Sequence, residues 1–235
     1  MNKFIQKYFG LLDRIFFWRW KLGDYSSAVN GKVLMYHHVT DDPSINVPQC
    51  TCGVKAFREQ INGILDEGYE FVCPDEMMEI IRTKSEKKFA LITFDDVPEN
   101  AYYNAIPFLR DKNIPFTLFI TKNYTNTSGY INEQMLLDLN DDSLCTIGAH
   151  TVSHPMLRHS SNPEKEIRES KLYLEDLLRK PINYFAYPFG KHSSISRHIR
   201  NIAKRQGFKA AFGTIPSTIN DYSAKCMFYL PRIVL

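Results

Sequence analysis

Apolar residues along this chain fall into two alternating rhythms. Short unbroken runs at 33–37 (VLMYH), 89–94 (FALITF), 115–120 (PFTLFI) and 144–149 (LCTIGA) have the length and composition of buried strands. YEFV (69–72), NYFAY (183–187), KAAFG (209–213) and a last run near 228–234 extend the series. Between them the apolar positions step by three and four. Phe57, Ile61, Ile64 and Leu65 share one face over 54–67, MMEII (77–81) keeps the helical rhythm, and further helices are predicted around 100–111, 132–140 and 194–205. Asn162 is a predicted N-cap, with Pro163 at the first helical position and Glu164 and Glu166 in the first turn, ahead of Ile167, Leu174, Leu177 and Leu178. Strands that alternate with helices imply an α/β fold, a parallel sheet wrapped by helices. Some seven such units in 235 residues favour a (β/α) barrel of about seven parallel strands over an open sheet.

The first 30 residues stand apart from this series. Phe4, Ile5, Tyr8, Leu11, Leu12, Ile15, Phe16 and Trp20 recur at helical spacing among Lys3, Lys7, Arg14, Arg19 and Lys21. Residues 1–30 therefore form an N-terminal amphipathic helical extension, and 31–235 the barrel domain. Such a helix rests on an anionic membrane surface or a partner protein, or packs on the main domain; amphipathicity alone fits both. Asp13 and Arg14 break the apolar run and no small-residue cleavage site follows, so no cleavable signal peptide is expected.

Composition removes some function classes. A net charge of +3 is too small to suggest nucleic acid as a partner. Five cysteines with no CxxC pair fit reduced thiols, hence a cytoplasmic location, peripheral to the membrane if the N-terminal segment engages it.

In a parallel barrel, chemistry gathers where strands end. Thr93-Phe94-Asp95-Asp96 closes the FALITF run, and two adjacent buried carboxylates are costly unless a cation or a cap relieves them. One can bind metal while the other faces the substrate water; the competing reading is a cap on the next helix. GAHTVSHP (148–155) follows LCTI, and His150 and His154, four apart on a predicted helical turn, can share a metal. Two imidazoles and a carboxylate form a common ligand set for a catalytic divalent ion. FAYPFG (185–190) ends a third strand; its Pro and Gly can aim a backbone N–H into the site and its aromatics can wall a sugar pocket, although alone it is a turn.

TFDD, HTVSHP and YPFG, in this order and spacing, resemble the first three motifs of the polysaccharide deacetylases, carbohydrate esterase family four. The likeness runs from MYHHV near 35 to LPRI near 233. It implies a distorted barrel and one divalent metal, zinc above all, with cobalt or nickel as alternatives, held by Asp96, His150 and His154. It implies Asp95 as the base that takes a proton from the attacking water, with an N-acetylated saccharide as substrate. A backbone N–H around Phe189 is expected to stabilise the oxyanion, with Tyr187, Pro188 and Phe189 lining the substrate pocket.

The pattern departs from the family in three places. Val97 and Pro98 stand where the family usually has Gly after the aspartates. Ala186 stands where many members carry an Arg that orients the base, and Arg232 in the closing LPRI is the candidate replacement. The late Leu-x-His motif that supplies the general acid is not recognisable after residue 213, which leaves His37 as the expected donor, with His38 and His192 behind it. Without a donor the chain would be a catalytically weak metal- and carbohydrate-binding protein. A hydrolase of another amide or ester with the same site is the other alternative.

Overall fold

The computed structural model describes residues 27–235, so the amphipathic segment expected over 1–30 lies outside the described residues except for its last four. Those four belong to the folded body. Val29 is buried, and the Ser27 hydroxyl and the Val29 N–H both donate to the Asp221 carboxylate.

Strands and helices then alternate: β1 (Asn30–Tyr36), β2 (His38–Val39), β3 (Thr51–Cys52), α1 (Val54–Asp66), β4 (Glu70–Phe71), α2 (Pro74–Thr83), β5 (Lys88–Asp95), α3 (Glu99–Asn104), α4 (Ile106–Asp111), β6 (Phe116–Ile120), α5 (Glu133–Asn140), β7 (Cys145–Ala149), α6 (Pro163–Leu178), β8 (Tyr184–Ala186), α7 (Arg197–Arg205), β9 (Ala210–Phe212) and β10 (Ile233–Val234). The main sheet is parallel and curled, in the order β10-β1-β5-β6-β7-β8-β9. This is the expected distorted barrel of seven strands. β5 is its axis, pairing with β1 along one edge and with β4 and then β6 along the other. Every residue from Phe89 to Asp95 is buried, the pattern of a strand covered on both faces. Gly148 on β7 is required by packing, since a Cβ there would lie 2.6 Å from the Phe119 ring.

The curl is closed by the C-terminal segment. Leu230 bridges Phe212 of β9, and just past Pro231 and Arg232 the chain is already paired with β1, Ile233 beside Leu34. One short segment thus joins both ends of the sheet, and it carries Arg232 inside.

Several local expectations change. The helix predicted over 100–111 breaks at Ala105, because Pro107 has no N–H to continue the ladder and sits in the first turn of a new helix. Leu65 remains 39% exposed while Phe57, Ile61 and Ile64 are buried. The strand near 228–234 narrows to two ladder residues and one bridge. β2 and β3, two residues each, pair across the loop of residues 40–50 and carry too little pattern to be seen in sequence. The α6 cap forms as predicted, with Asn162 Oδ1 accepting from the Lys165 N–H at 3.0 Å.

Candidate active site

β5 ends at Asp95, and the backbone turns sharply beyond it. Asp96 and Val97 take φ of 59° and 48°, a left-handed conformation that is costly for a β-branched valine. The turn sends the two adjacent carboxylates in different directions. Neither caps α3, whose N-cap is Pro98.

Asp95 points into the barrel and is 3% exposed. Arg232 Nη1 and Nη2 donate to its two oxygens at 2.6 Å each, a bidentate fork. Arg232 is fully buried, and its Nε donates to the Gly213 carbonyl at 2.9 Å. Burial alone raises the Asp95 pKa; Arg232, then His150 and His37, outweigh it and hold the carboxyl well below its usual range.

Asp96 turns toward the two histidines. Thr121, at the end of β6, donates its hydroxyl to Asp96 Oδ1 at 2.6 Å. His150 Nε2 lies 4.0 Å from Asp96 Oδ1, and His154 Nε2 lies 3.7 Å from Asp96 Oδ2. These separations are too long for hydrogen bonds and suit donors that share an ion about 2.1 Å from each. Ligand atoms of all three residues lie within 4.8 Å of one another. His150 Nδ1 is 2.8 Å from the Ala186 carbonyl, which only accepts, so the proton is on Nδ1 and the Nε2 lone pair is free for a metal. Burial lowers the His150 pKa and keeps the ring neutral, as a ligand must be. On chemistry and spacing, the donor set fits a divalent cation.

The two histidines do not sit on a helical turn, which corrects the sequence expectation. Residues 150–156 form a loop in which Thr151 and His154 have φ of 72° and 54°. Thr151 Oγ1 accepts from the His154 N–H at 3.0 Å, while Glu166 accepts from the N–H groups of Val152 and Ser153 at 3.0 and 2.9 Å. Folding of the loop, rather than helical periodicity, brings the rings together, with centroids 5.0 Å apart.

A groove of about 460 Å³ opens over this cluster, lined among others by His37, His38, Tyr130, Phe189 and Lys191. Phe189 stands at its rim, 51% exposed, with its ring centroid 5.0 Å from that of His154. Tyr187 and Pro188, expected beside it, do not line the groove. Tyr187 is fully buried and its hydroxyl donates to the Phe228 carbonyl at 3.0 Å, so it supports the wall from behind. His37 follows β1 and lines the groove, and its buried Nδ1 has no hydrogen-bond partner among the described residues. Burial is the main influence lowering its pKa, against the pull of Asp95 and Asp96. His192 is held elsewhere, stacked on Tyr229 with centroids 4.9 Å apart.

Three supporting residues escaped the sequence reading. Thr121 follows a strand end, so the barrel rule pointed to it. Glu166 looked like first-turn helix chemistry. Asn100 had no signal; its Oδ1 accepts from the Val39 N–H at 3.1 Å, which turns its Nδ2 toward His38 Nδ1 at 2.9 Å. His38 Nδ1 must then accept, and its proton is on Nε2.

Two histidines and an aspartate thus gather at the strand ends of a curled parallel barrel, and the comparisons identify the family. Residues 82–211 match the family model described as polysaccharide deacetylase, and the chain belongs to that family. It is 24% identical over 188 residues to YxkH of Bacillus subtilis, covering 78% of this chain and 64% of that protein. It is 26% identical over 198 residues to the poly-β-1,6-N-acetyl-D-glucosamine N-deacetylase of Staphylococcus aureus, covering 76% and 66%. The chain thus spans just under two thirds of these relatives. Among solved structures, the Streptococcus pyogenes deacetylase PplD in complex with acetate superposes with a TM-score of 0.77 at 24% identity, over 88% of this chain and 92% of that one. IcaB from Ammonifex degensii gives 0.73 at 21%, over 88% and 91%. These two likenesses establish the fold.

Proposed function

We propose that the chain is a metal-dependent deacetylase that hydrolyses the acetamide of an N-acetylated saccharide to acetate and a free amine. A divalent cation on Asp96, His150 and His154 would polarise the amide carbonyl and acidify water. The single observation that carries this reading is the division of labour between neighbouring carboxylates. Asp96 faces two imidazoles, whereas Asp95 is locked in a bidentate fork with Arg232 and lies 3.8 Å from His150 Nε2.

Asp95 takes the proton from the attacking water. Arg232 positions that carboxylate and favours its ionised form, in the role many relatives give to an Arg where this chain has Ala186. His37 protonates the departing nitrogen; it lines the same groove, and its Nδ1 has no hydrogen-bond partner among the described residues, which supports this role. The oxyanion is met by a backbone N–H near Phe189. The exposed Phe189 ring and the Tyr130 ring offer apolar faces to a pyranose.

Metal content and acetate release from N-acetylglucosamine oligomers test this together, using protein loaded with zinc, cobalt or nickel. Asp95→Asn is expected to keep its metal and to lose acetate release by about three orders of magnitude, while His150→Ala loses both. Acetate release undiminished in Asp95→Asn would remove Asp95 as the base. An absence of bound metal in every preparation would remove the ligand set.

A further inference from the structure

A second groove lies on the flank of the barrel, between α7 and the turn Asp221–Lys225, with a volume of about 360 Å³. Arg197, Arg200 and Lys204 line it from the helix and Lys225 from the turn, and among the described residues no carboxylate lines it. Its floor is apolar, built from half-buried Met227 and Phe228 and buried Tyr229. In α7 only Ile199, Ile202 and Ala203 are buried, which leaves Arg197, Arg200, Lys204 and Arg205 on the outward side. Arg197 and Arg200 are three apart, and Arg200 and Lys204 four apart. Like charges at these spacings cost a helix a few tenths of a kcal/mol per pair. Arg197, Lys204, Arg205 and Lys225 form no ion pair among the described residues, although surface lysines and arginines elsewhere, such as Arg82, Lys87 and Arg110, do. The cations of α7 leave its outward face positively charged, a charge that an anionic partner would neutralise.

Charge distribution along the chain identifies the kind of partner. Lys3, Lys7, Arg14, Arg19 and Lys21 against Asp13 and Asp24 give residues 1–26 the whole net +3 of the protein, and both tryptophans, Trp18 and Trp20, lie in the same stretch. Cations interleaved with tryptophan are the composition of segments that settle at a phospholipid interface. That stretch joins the described body at Ser27, whose hydroxyl donates to Asp221. Asp221 opens the turn whose last residue, Lys225, edges the groove, a distance of about 8 Å at 3-10 rise. The point where the cationic stretch joins the described body is thus close to the cationic groove.

We propose that this flank is a docking surface for an anionic phospholipid bilayer, with headgroup phosphates received by Arg197, Lys204 and Lys225. Tyr229 sets the orientation. Its hydroxyl donates to the Gly190 carbonyl beside Phe189, while the Arg200 guanidinium lies 5.5 Å from its ring on the docking side. A bilayer held on the flank lies next to the catalytic mouth. Docking stands independently of the deacetylase reading.

Co-sedimentation of the full-length chain tests it, using vesicles of phosphatidylcholine alone and of phosphatidylcholine with phosphatidylglycerol. The full chain is expected to bind the anionic vesicles, less so as salt rises, and to leave the neutral ones in solution. Arg197→Glu/Lys204→Glu/Lys225→Glu, with residues 1–26 intact, is expected to weaken that binding about a hundredfold or more, at roughly a factor of five per cation removed. The corresponding glutamine variant, a gentler change should the reversal misfold, loses somewhat less. Thermal melting and acetate release from soluble oligomers stay at the parent level, because none of the three residues lies in the catalytic groove. Unchanged vesicle binding in a folded variant overturns the proposal. So does equal binding to neutral vesicles, or variant-sensitive binding to a soluble anionic glycan with none to vesicles.

Discussion

The two ends of the barrel use the same backbone conformation for different purposes. At the ends where the strands begin, left-handed residues such as Lys84 and Arg179 finish helices, and their N–H groups bond back to Ile80 and Glu175. That is ordinary helix termination. At the opposite end, Asp96, Val97, Thr151, His154 and Phe189 have positive φ and terminate no helix. There the conformation redirects side chains, with the cost borne by the surrounding packing. Polar chemistry divides in the same way. At the closed end Asp75 is satisfied by the Tyr184 hydroxyl and the Lys209 ammonium, both at 2.7 Å. At the open end the His37 Nδ1 has no hydrogen-bond partner among the described residues. One end is built for stability, and the other spends stability on geometry.

The contrast can be broken most sharply at the Asp95–Arg232 fork. Arg232→Met strands a buried carboxylate and is expected to cost about 3–5 kcal/mol in urea unfolding, together with a large fall in kcat. Adding Asp95→Asn to Arg232→Met should restore much of the stability and none of the activity. If the two stability losses simply add, the fork is not a coupled pair.

Thr121→Val comes next. It removes the hydroxyl that orients Asp96, and metal affinity measured by chelator competition should fall about 10- to 100-fold with little change in melting temperature. At the closed end, Asp75→Asn should cost no more than about 1 kcal/mol, because the pair with Lys209 is largely exposed, and leave kcat and KM unchanged. A kinetic effect there would erase the distinction between the ends.

The smallest effect concerns His192, which stacks on Tyr229 and is held down to about 4 by burial. The unfolded chain takes up this proton first, so stability contributed by the neutral ring is complete above about pH 6.5 and declines as pH falls toward 4. His192→Gln should flatten that part of the melting-temperature profile. An unchanged slope would assign the acid sensitivity to other groups.

How far these features were legible in the sequence depended on whether the signal was local. β5, β6 and β7 announce themselves as unbroken apolar runs because both faces of each strand are covered. The Asp96, His150 and His154 cluster followed from strand ends and motif order. What could not be read was loop geometry. HTVSHP suggested a helical turn because its spacing is four, yet Glu166 and Thr151 fold it otherwise, through bonds that no periodicity reports. Tyr187 and Phe189 looked equivalent as pocket aromatics, and only the three-dimensional turn at 188–190 puts one behind the wall and the other on the rim. Arg232 could be named as a candidate from its motif, but its bidentate pairing needed a sheet that curls far enough to bring the chain's last strand beside its first.

That closure has a consequence for the order of events in folding. Asp95 and Arg232 are 137 positions apart, and their contact waits on the docking of the segment that links β9 to β1. Contacts so distant along the chain form late, after local helices and neighbouring strands have assembled. An intermediate with a formed sheet and an undocked last strand would have its loops in place and Asp95 unrestrained. Competence for catalysis would then arrive with the final step of folding, so recovery of activity should lag recovery of secondary structure when the protein refolds.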